Sequence, residues 1–188
     1  YQGYLLNIAD SNFGMFKDVI ETCEAIAAVQ AAHGWPKYIS VATGKNNKQR
    51  VLDASRIVNG AMRIAASVQS LDDGVLANIK RANISSNEIV SLSKETSEMG
   101  GNSYSEVILG LPGDTKESHL QTIETLSDAG LNYIALYTLM MLPGTEMASD
   151  ASRRQFGIKT RYRVLPRCFG SYSFDGNEFQ SAEIEEVC

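Results

Sequence analysis

Short apolar runs alternate with stretches that carry apolar residues at helical spacing along the first 150 residues of the chain. Glycine, proline, asparagine or aspartate bounds the runs, which is typical of strands that end in turns. The alternation predicts about five successive βα units, and such units pack as a curved parallel sheet or barrel with right-handed crossovers. The predicted strands lie at residues 5–9, 38–42, 62–68, 107–109 and 132–139.

The number of predicted strands limits the fold class. A complete eight-stranded (β/α) barrel takes about 250 residues, so five strands predict an α/β fold with a partial TIM-type barrel. The pattern changes after Asp150, and we predict a barrel core at residues 1–150 followed by a truncated C-terminal extension at residues 151–188. In this extension, short strand-like pieces are predicted at residues 161–165, 169–172 and 184–187.

The segment at residues 105–115, SEVILGLPGDT, contains a strand, a turn and a helix start. Its apolar run at 107–109 is typical of a strand buried on both faces. Asp114 is the predicted N-cap of the next helix, with Glu117 completing a capping box. The predicted buried stripe of that helix consists of Leu120, Ile123 and Leu126. A second capping box is predicted at 85–88, before a helix whose inward residues are Ile89 and Leu92.

Composition and charge exclude several classes of function. The net charge of −5 and the pI near 5.1 argue against non-specific binding of nucleic acid, which needs a basic surface. No apolar run is long enough to cross a bilayer and no signal peptide opens the chain, so a cytoplasmic location is expected. Because both ends are strand-like, we also expect the chain to be a fragment of a longer protein.

The cysteines and histidines form no recognisable site. Cys23, Cys168 and Cys188 are too far apart for a zinc pair or a disulfide framework, and Cys23 is predicted to be a buried thiol on a helix. His33 and His119 lie on helices, where surface roles are expected. Local spacing assembles neither a Ser/His/Asp triad nor a set of metal ligands.

Polar residues gather where the predicted strands end. In parallel α/β folds these carboxyl ends meet at one edge, where ligands bind. The side chains there carry both signs of charge and are suited to a polar, zwitterionic small molecule. This predicted ring consists of Asp10, Ser11, Asn12, Lys45, Asn46, Gln69, Ser70, Gly110, Gly113, Thr115 and Thr145.

Five strand exits also carry recognisable segments, in this order: DSNFG (10–14), ATGKN (42–46), ASVQSLDDGVLANIKR (66–81), ILGLPGDT (108–115) and MLPGTEM (141–147). Together they resemble the second to sixth strands of the six-stranded partial barrel of radical S-adenosylmethionine enzymes. The later segments RYRVLPRCFG and EIEEVC resemble pieces of members that are paired with a cobalamin-binding domain. Each segment alone is a weak signal, but five in order are specific.

The resemblance implies that nine residues contact S-adenosylmethionine. Gln69 and Ser70 match an exit whose polar pair approaches the amino-acid end of this cofactor, and Lys45 and Arg81 match positions that pair with its carboxylate. The residues that match contacts to the adenine ring are Ile108, Gly110, Pro112, Tyr137 and Leu139. Plain structural interpretations also exist, because the charges can be solvated, the polar pair can cap a helix and the glycines can serve turns.

The function implied by the resemblance is cleavage of S-adenosylmethionine to a 5′-deoxyadenosyl radical, or radical methyl transfer, on an unknown small molecule. This chemistry requires a [4Fe-4S] cluster held by three cysteines, and none of the cysteines here fits the spacing of that motif. The cluster ligands are therefore expected upstream, and this chain alone is expected to be inactive. Cobalamin is a further expected cofactor, and a reductant such as flavodoxin or ferredoxin is an expected partner.

Two other classes of function remain open from the sequence. One is a hydrolase or isomerase without a cluster, with Asp10 and Lys45 as acid and base and the turn at 110–115 as an anion site. The other is a barrel that binds a partner without catalysis.

Overall fold

A computed structural model of the chain describes residues 3–44, 47–66, 68–82 and 84–188, with only the backbone described at 166–169, 172, 174 and 179–182. Short parallel strands alternate with helices, as the apolar pattern predicts. These strands are β1 (Leu5–Asn7), β2 (Tyr38–Ser40), β3 (Ile64–Ala65), β4 (Ser103–Leu109) and β5 (Tyr133–Thr138).

The five strands lie side by side in chain order. β1 pairs with β2, β3 pairs with β4, and β4 pairs with β5, all in parallel. A single parallel bridge between Ile39 and Met62 links β2 to the segment that leads into β3. The α/β class and the parallel pairing are therefore confirmed.

Helices follow the strands and cover one face of them. They are α1 (Val19–His33), α2 (Lys48–Ile57), α3 (Asp73–Asn78), α4 (Ser86–Glu98) and α5 (Lys116–Asp128). One apolar core forms between these helices and the strands, and the predicted burial of Cys23, Ile89 and Leu92 is confirmed. Within the described residues, no helix is long and apolar enough to cross a membrane.

β4 is buried on one face only, so the prediction that residues 107–109 are buried on both faces was wrong. Ser103, Ser105 and Val107 are fully buried beneath the helices. The alternate side chains of β4 are only partly buried, and Leu109 is half exposed. The physical reason is that the helices pack against one side, whereas the other side borders an open cavity that is described below.

The capping box before α4 is confirmed, but the one before α5 is displaced by one residue. Ser85 and Glu88 bond reciprocally, as predicted. The N-cap of α5 is Thr115, whose side chain accepts a hydrogen bond from the Ser118 backbone N–H (3.0 Å). Asp114 instead stays in the turn, 3.1 Å from Nδ1 of His119. His119 lies in the first turn of α5, and its side chain is mostly buried beside Asp114, so its expected surface role was wrong.

The buried stripe of α5 also differs from the prediction. Leu126 is fully buried, but Leu120 is 47% exposed and Thr122 is buried in its place. Thr122 Oγ1 accepts a hydrogen bond from the Leu71 N–H (3.1 Å) and donates one to Ser118 O (3.0 Å). Because its hydroxyl is satisfied, threonine can occupy a buried position that the apolar pattern reserves for leucine.

The C-terminal extension contains a helix and a long hairpin. The predicted extended pieces at 161–165 and 169–172 correspond to the two paired segments of one strand of this hairpin, and the piece at 184–187 lies at the end of the other strand. α6 (Asp150–Phe156) leads to β6 (Arg161–Phe174), which pairs antiparallel with β7 (Asn177–Val187). The end of β7 adds to the chain after β5, because Met141 N–H donates to Glu186 O (2.8 Å) and Cys188 N–H donates to Leu139 O (3.1 Å). The pairing of the two strands is interrupted between Val164 and Phe169, which separates the first two predicted pieces. What the sequence analysis did not predict is that all three pieces belong to one hairpin.

An ion pair ties α6 to β7. Arg153 donates from Nη1 and Nη2 to the two carboxylate oxygens of Glu186, each at 2.7 Å, and the Thr160 hydroxyl also donates to this carboxylate. These hydrogen bonds lower the pKa of Glu186 from 4.5 to about 2, and the contribution of Arg153 is the largest. The pair therefore favours the docked hairpin whenever the carboxylate is ionised.

We expect Glu186→Gln to be less stable than the wild type at pH 7. The folded-state pKa is lowered, so the contribution of the pair is complete above pH 4.5 and is lost as the pH falls towards about 2. The difference in melting temperature between wild type and variant should thus shrink between pH 4.5 and pH 2. Glu183→Gln, on the same strand at an exposed position, is the matched control. A difference that stays constant over this pH range would contradict the assignment.

Candidate functional site

The carboxyl ends of β3, β4 and β5 meet at one edge of the sheet, as expected for a parallel α/β fold. Of the nine residues predicted to contact S-adenosylmethionine, five lie in the exits at residues 68–71, 110–115 and 139–145, namely Gln69, Ser70, Gly110, Pro112 and Leu139. Ile108 and Tyr137 lie near the ends of β4 and β5, and Arg81 follows α3. The ninth, Lys45, lies outside the described residues, as does its neighbour Asn46. Its predicted role, and the acid–base pair of Asp10 with Lys45, stay predictions.

The exit after β3 is held by side-chain hydroxyls where the backbone ladder ends. Val68 N–H donates to the buried Ser105 Oγ (3.3 Å), and Leu71 N–H donates to Thr122. Between them, the carbonyl of Gln69 accepts a hydrogen bond from Ile108 N–H (3.0 Å). β4 and α5 thus position the polar pair of this exit.

Gln69 and Arg81 form one polar unit. The Gln69 side chain is nearly buried, and its Oε1 accepts a hydrogen bond of 3.4 Å from Arg81 Nη1. α3 returns the chain so that Arg81 reaches this position, and its backbone N–H bonds to Leu76 O (2.9 Å). A guanidinium has five N–H donors and the contact with Gln69 uses one of them, so Arg81 is suited to bind a carboxylate as well.

Ser70 lies at the entry to α3. Its side chain is 2% exposed, and its Oγ accepts a hydrogen bond from Asp72 N–H (3.2 Å). Asp72 in turn caps the helix by accepting from Val75 N–H (2.9 Å). These contacts agree with the structural interpretation of Ser70 as part of a helix start, and its predicted contact with the cofactor stays a prediction.

Ile108 and Tyr137 are direct neighbours on β4 and β5 and share one face of the sheet. Tyr137 is 52% exposed, so its ring is accessible to a ligand. The pairing continues beyond the strands, because Leu139 N–H donates to Leu109 O (2.8 Å). Three adjacent strand ends therefore carry Gln69, Ile108 and Tyr137, and Arg81 contacts the first of them. This is the order of the predicted contacts from the carboxylate to the adenine of the cofactor.

Gly110 turns the chain at the end of β4 with φ +87°, a value that favours glycine. A Cβ atom at this position would lie 3.2 Å from Cβ of Cys188 and 4.0 Å from Cβ of Leu139. The end of β7 thus borders the predicted adenine wall. The sequence analysis missed this contact because nothing in the local pattern relates Cys188 to residue 110.

Pro112 and Gly113 face α3. Pro112 is buried, and its carbonyl accepts a hydrogen bond from Asn78 Nδ2 (2.9 Å). Gly113 has φ +85°, which favours glycine, and a Cβ atom there would lie 2.7 Å from this same nitrogen, so the Asn78 side chain would have to shift. Thr115 and Thr145 serve local turns, the first as the N-cap of α5 and the second by donating to Leu142 O (2.7 Å).

The two cysteines whose side chains the structure describes, Cys23 and Cys188, do not form a cluster site. Among the described residues, no group of three His, Cys, Asp or Glu side chains is arranged to hold a metal ion. Burial in α1 raises the pKa of Cys23 to about 11, which keeps it a thiol rather than a thiolate ligand. Burial also raises the pKa of Cys188.

A cavity of about 350 Å³ opens on the uncovered face of the strands, and the sequence analysis missed its polar residues. We call this cavity the tyrosine hollow, because Tyr104, Tyr133 and Tyr137 line it together with Arg63 and Glu106. The missed signal is the spacing of Tyr104 and Glu106 in SYSEVIL and of Tyr133 and Tyr137 in YIALYT, because residues two or four apart on a strand share one face. Its apolar lining consists of Leu5, Ile39, Val41 and Ala135.

Comparison with curated proteins finds two methyltransferases, each 32% identical to this chain over 159 residues. One is the cobalamin-dependent radical SAM methyltransferase TokK of Streptomyces tokunonensis, and the other is 2-(S-pantetheinyl)-carbapenam-3-carboxylate methyltransferase of Streptantibioticus cattleyicolor. The match covers 82% of this chain but only 23% of each relative. The chain therefore spans about a quarter of the length of the curated relatives that it matches. No family model matches the chain.

Two solved structures of the radical S-adenosylmethionine methyltransferase TsrM from Kitasatospora setae share the fold, each with a TM-score of 0.62. The one with tryptophan substrate and the analogue aza-SAM bound is 14% identical, and the match covers 85% of this chain and 32% of TsrM. The one with cobalamin and a [4Fe-4S] cluster bound is 15% identical, and the match covers 92% of this chain and 34% of TsrM.

Proposed function

Because the chain belongs to the radical S-adenosylmethionine superfamily, we propose that it is the cofactor-binding core of a longer, cobalamin-dependent radical methyltransferase. The 32% identity with TokK over 82% of the chain supports this assignment. The observation that carries it is the sequence of contacts at the strand ends, from Arg81 through Gln69 and Ile108 to Tyr137. We further assign β1 to β5 to the second to sixth strands of a six-stranded partial barrel, and residues 151–188 to a C-terminal extension.

The described residues fit S-adenosylmethionine. Its carboxylate requires fixed donors, which Arg81 supplies beside the nearly buried Gln69. Its adenine ring requires an apolar wall with close access to the backbone, which Ile108, Leu139 and the glycine at 110 supply. Lys45 and Ser70 are further proposed contacts at the amino-acid end, and Pro112 and Tyr137 at the adenine end.

The described residues do not fit the [4Fe-4S] cluster, because they include no set of three suitably placed ligands. We therefore propose that its cysteines belong to a preceding part of the full-length protein, and that residues 1–188 alone are inactive. The relative TokK is cobalamin-dependent, but none of the described residues of this chain is assigned to cobalamin. When bound, these groups supply the reducing electron and the methyl carrier, and the reductant is a flavodoxin-like or ferredoxin-like protein.

The contribution of this chain is binding, orientation and exclusion of water. The hydroxyls of Ser105 and Thr122 fix the exit after β3, so that Gln69 and Arg81 hold the cofactor's amino-acid end in one position. The wall at Ile108 and Leu139 keeps its adenine end in register with that position. Such positioning lowers the entropic cost of bringing the reacting groups together and keeps a reactive intermediate away from solvent.

The test of the proposed function is an anaerobic assay of the full-length protein, which is expected to be cytoplasmic. After reconstitution with iron, sulfide and cobalamin, it should bind iron and convert S-adenosylmethionine to 5′-deoxyadenosine or to S-adenosylhomocysteine on reduction. Preparations without reductant are the control. A full-length protein that binds no iron and lacks upstream cysteines would contradict the proposal and favour a barrel without a cluster.

Within this assay, we expect Arg81→Gln to weaken S-adenosylmethionine binding about tenfold or more, the value for one charged hydrogen bond. The arginine is exposed and makes its described side-chain contact with Gln69, so the fold should be retained. Equilibrium dialysis with labelled S-adenosylmethionine measures the effect. Arg154→Gln, a change of the same type at an exposed position on α6, should leave the affinity unchanged. Equal affinity in both variants would contradict the role of Arg81.

A further inference from the structure

The tyrosine hollow lies on the same face of the strands as the predicted cofactor wall. Tyr104, Glu106 and Ile108 alternate along β4, and Tyr133, Ala135 and Tyr137 are their direct partners on β5. Tyr137 therefore belongs both to the predicted adenine wall and to the lining of the hollow. A ligand in the hollow would lie next to the cofactor, where the substrate of the proposed reaction must be.

Two opposite charges face the hollow at different depths. Arg63 precedes β3 and lies level with residue 102, directly before β4, since Ile64 pairs with Ser103. Glu106 is four residues further along β4, and strands rise about 3.3 Å per residue, so the two backbone positions are separated by about 13 Å along the strands. Glu106 is nearer to the cofactor wall, and Arg63 is at the far end.

These two side chains are available to a ligand. In the part of the chain that the structure describes, neither Arg63 nor Glu106 takes part in an ion pair or a side-chain hydrogen bond. Both act on the Tyr104 hydroxyl, and residue 104 lies between their backbone positions along the strands. Burial and then Glu106 and Tyr137 raise the pKa of Tyr104, whereas Arg63 lowers it.

We propose that the tyrosine hollow binds the substrate as an elongated molecule with a carboxylate at one end, held by Arg63, and a cationic or hydrogen-bond-donating group at the other, held by Glu106. The body between them packs on the rings of Tyr104, Tyr133 and Tyr137. This inference rests on the proposed function, because it assigns the substrate end of the same site.

The size and lining of the hollow agree with such a ligand. Its volume of about 350 Å³ is at the lower end of the range of small-molecule sites, about 300–1,000 Å³. Aromatic rings beside apolar side chains favour a flat or apolar body. The unpaired charges of Arg63 and Glu106 select a ligand with a complementary group at each end. A molecule that lacks one of these groups leaves Arg63 or Glu106 without a partner, which lowers its affinity.

Three para-substituted benzenes test this proposal in the full-length protein. 4-(Aminomethyl)phenylacetate carries both charges, 4-methylphenylacetate carries only the carboxylate, and 4-methylbenzylamine carries only the ammonium. Their affinities are measured by saturation-transfer NMR, together with S-adenosylmethionine binding in the same samples. The doubly charged probe should bind most tightly.

Two variants assign the ends of the ligand. Arg63→Gln should weaken binding of 4-methylphenylacetate about tenfold or more and leave 4-methylbenzylamine unchanged, and Glu106→Gln should do the reverse. Arg154→Gln and Glu124→Gln, both at exposed positions on helices, are the matched controls. Arg63→Lys is a second variant at the same position and should weaken carboxylate binding less than Arg63→Gln, because it keeps the charge but loses the fork of donors.

The outcomes separate this proposal from the proposed function. If S-adenosylmethionine binds normally but none of the probes binds, or if both variants affect all probes equally, the substrate assignment is overturned and the proposed function is retained. If the probes respond as expected but S-adenosylmethionine does not bind, the hollow is a ligand site and the proposed function fails.

Discussion

Gly110→Val should both destabilise the fold and weaken S-adenosylmethionine binding. The backbone at 110 has φ +87°, which costs a β-branched residue about 1–3 kcal/mol. The new side chain would also start 3.2 Å from Cβ of Cys188, and overpacking of this kind typically costs about 1–3 kcal/mol more. Urea unfolding measures the loss of stability, and equilibrium dialysis of the folded variant measures cofactor affinity.

Gly144→Val is the matched control for this variant. Gly144 has φ +82°, and a Cβ atom there would meet no described atom within 4 Å. Gly144→Val should therefore lose only the stability that the strained backbone costs, and the contact between the end of β7 and the strand ends should be retained. If a folded Gly110→Val variant binds S-adenosylmethionine as the wild type does, residue 110 does not border the adenine ring. Equal stability of the two variants would show that the contact with Cys188 carries no energy.

The second large effect is expected from Leu126→Ala, which should lower the free energy of unfolding by about 2–5 kcal/mol. Leu126 is fully buried between α5 and the strands, so its removal leaves a cavity in the core. Urea or thermal unfolding, followed by circular dichroism, measures this change.

The control for Leu126→Ala lies on the same helix. Leu120 is 47% exposed, so Leu120→Ala should change stability by no more than about 0.5 kcal/mol. Both substitutions replace leucine by alanine and both residues favour helices, which cancels the contribution of helix propensity. The sequence pattern alone predicts equal losses at the two positions. A large loss at Leu120 would support that pattern and contradict the structure.

The order of strands and helices follows from the sequence because it depends on local periodicity. Apolar runs, turn residues and the capping box at Ser85 act over fewer than ten residues, and each was confirmed. The segments at the strand exits showed the resemblance to radical S-adenosylmethionine enzymes before any geometry was known, and the 32% identity with two methyltransferases supports it. The roles of individual residues are not settled by these observations and stay proposals.

The errors about burial share one physical cause, because contacts distant in the chain decide which side chains are buried. Thr122 is buried because its hydroxyl meets the N–H of Leu71, 51 residues earlier. The apolar pattern assigns threonine to the surface and therefore places Leu120 inside. The hairpin of β6 and β7 had a local signal in Asp175 and Gly176, which both have positive φ in the structure, but the sequence analysis did not use it.

The sequence by itself determined the class of fold, the parallel units and the set of polar exits, since these depend on residue type and spacing along the chain. Only the tertiary structure decided which exits touch, that Gln69 pairs with Arg81, and that Cys188 closes on the turn at 110. It also revealed the tyrosine hollow, because Arg63 and Glu106 are 43 residues apart in the chain and face one cavity only after the strands pair. Long-range pairing is a property of the packed chain, and no local pattern encodes it.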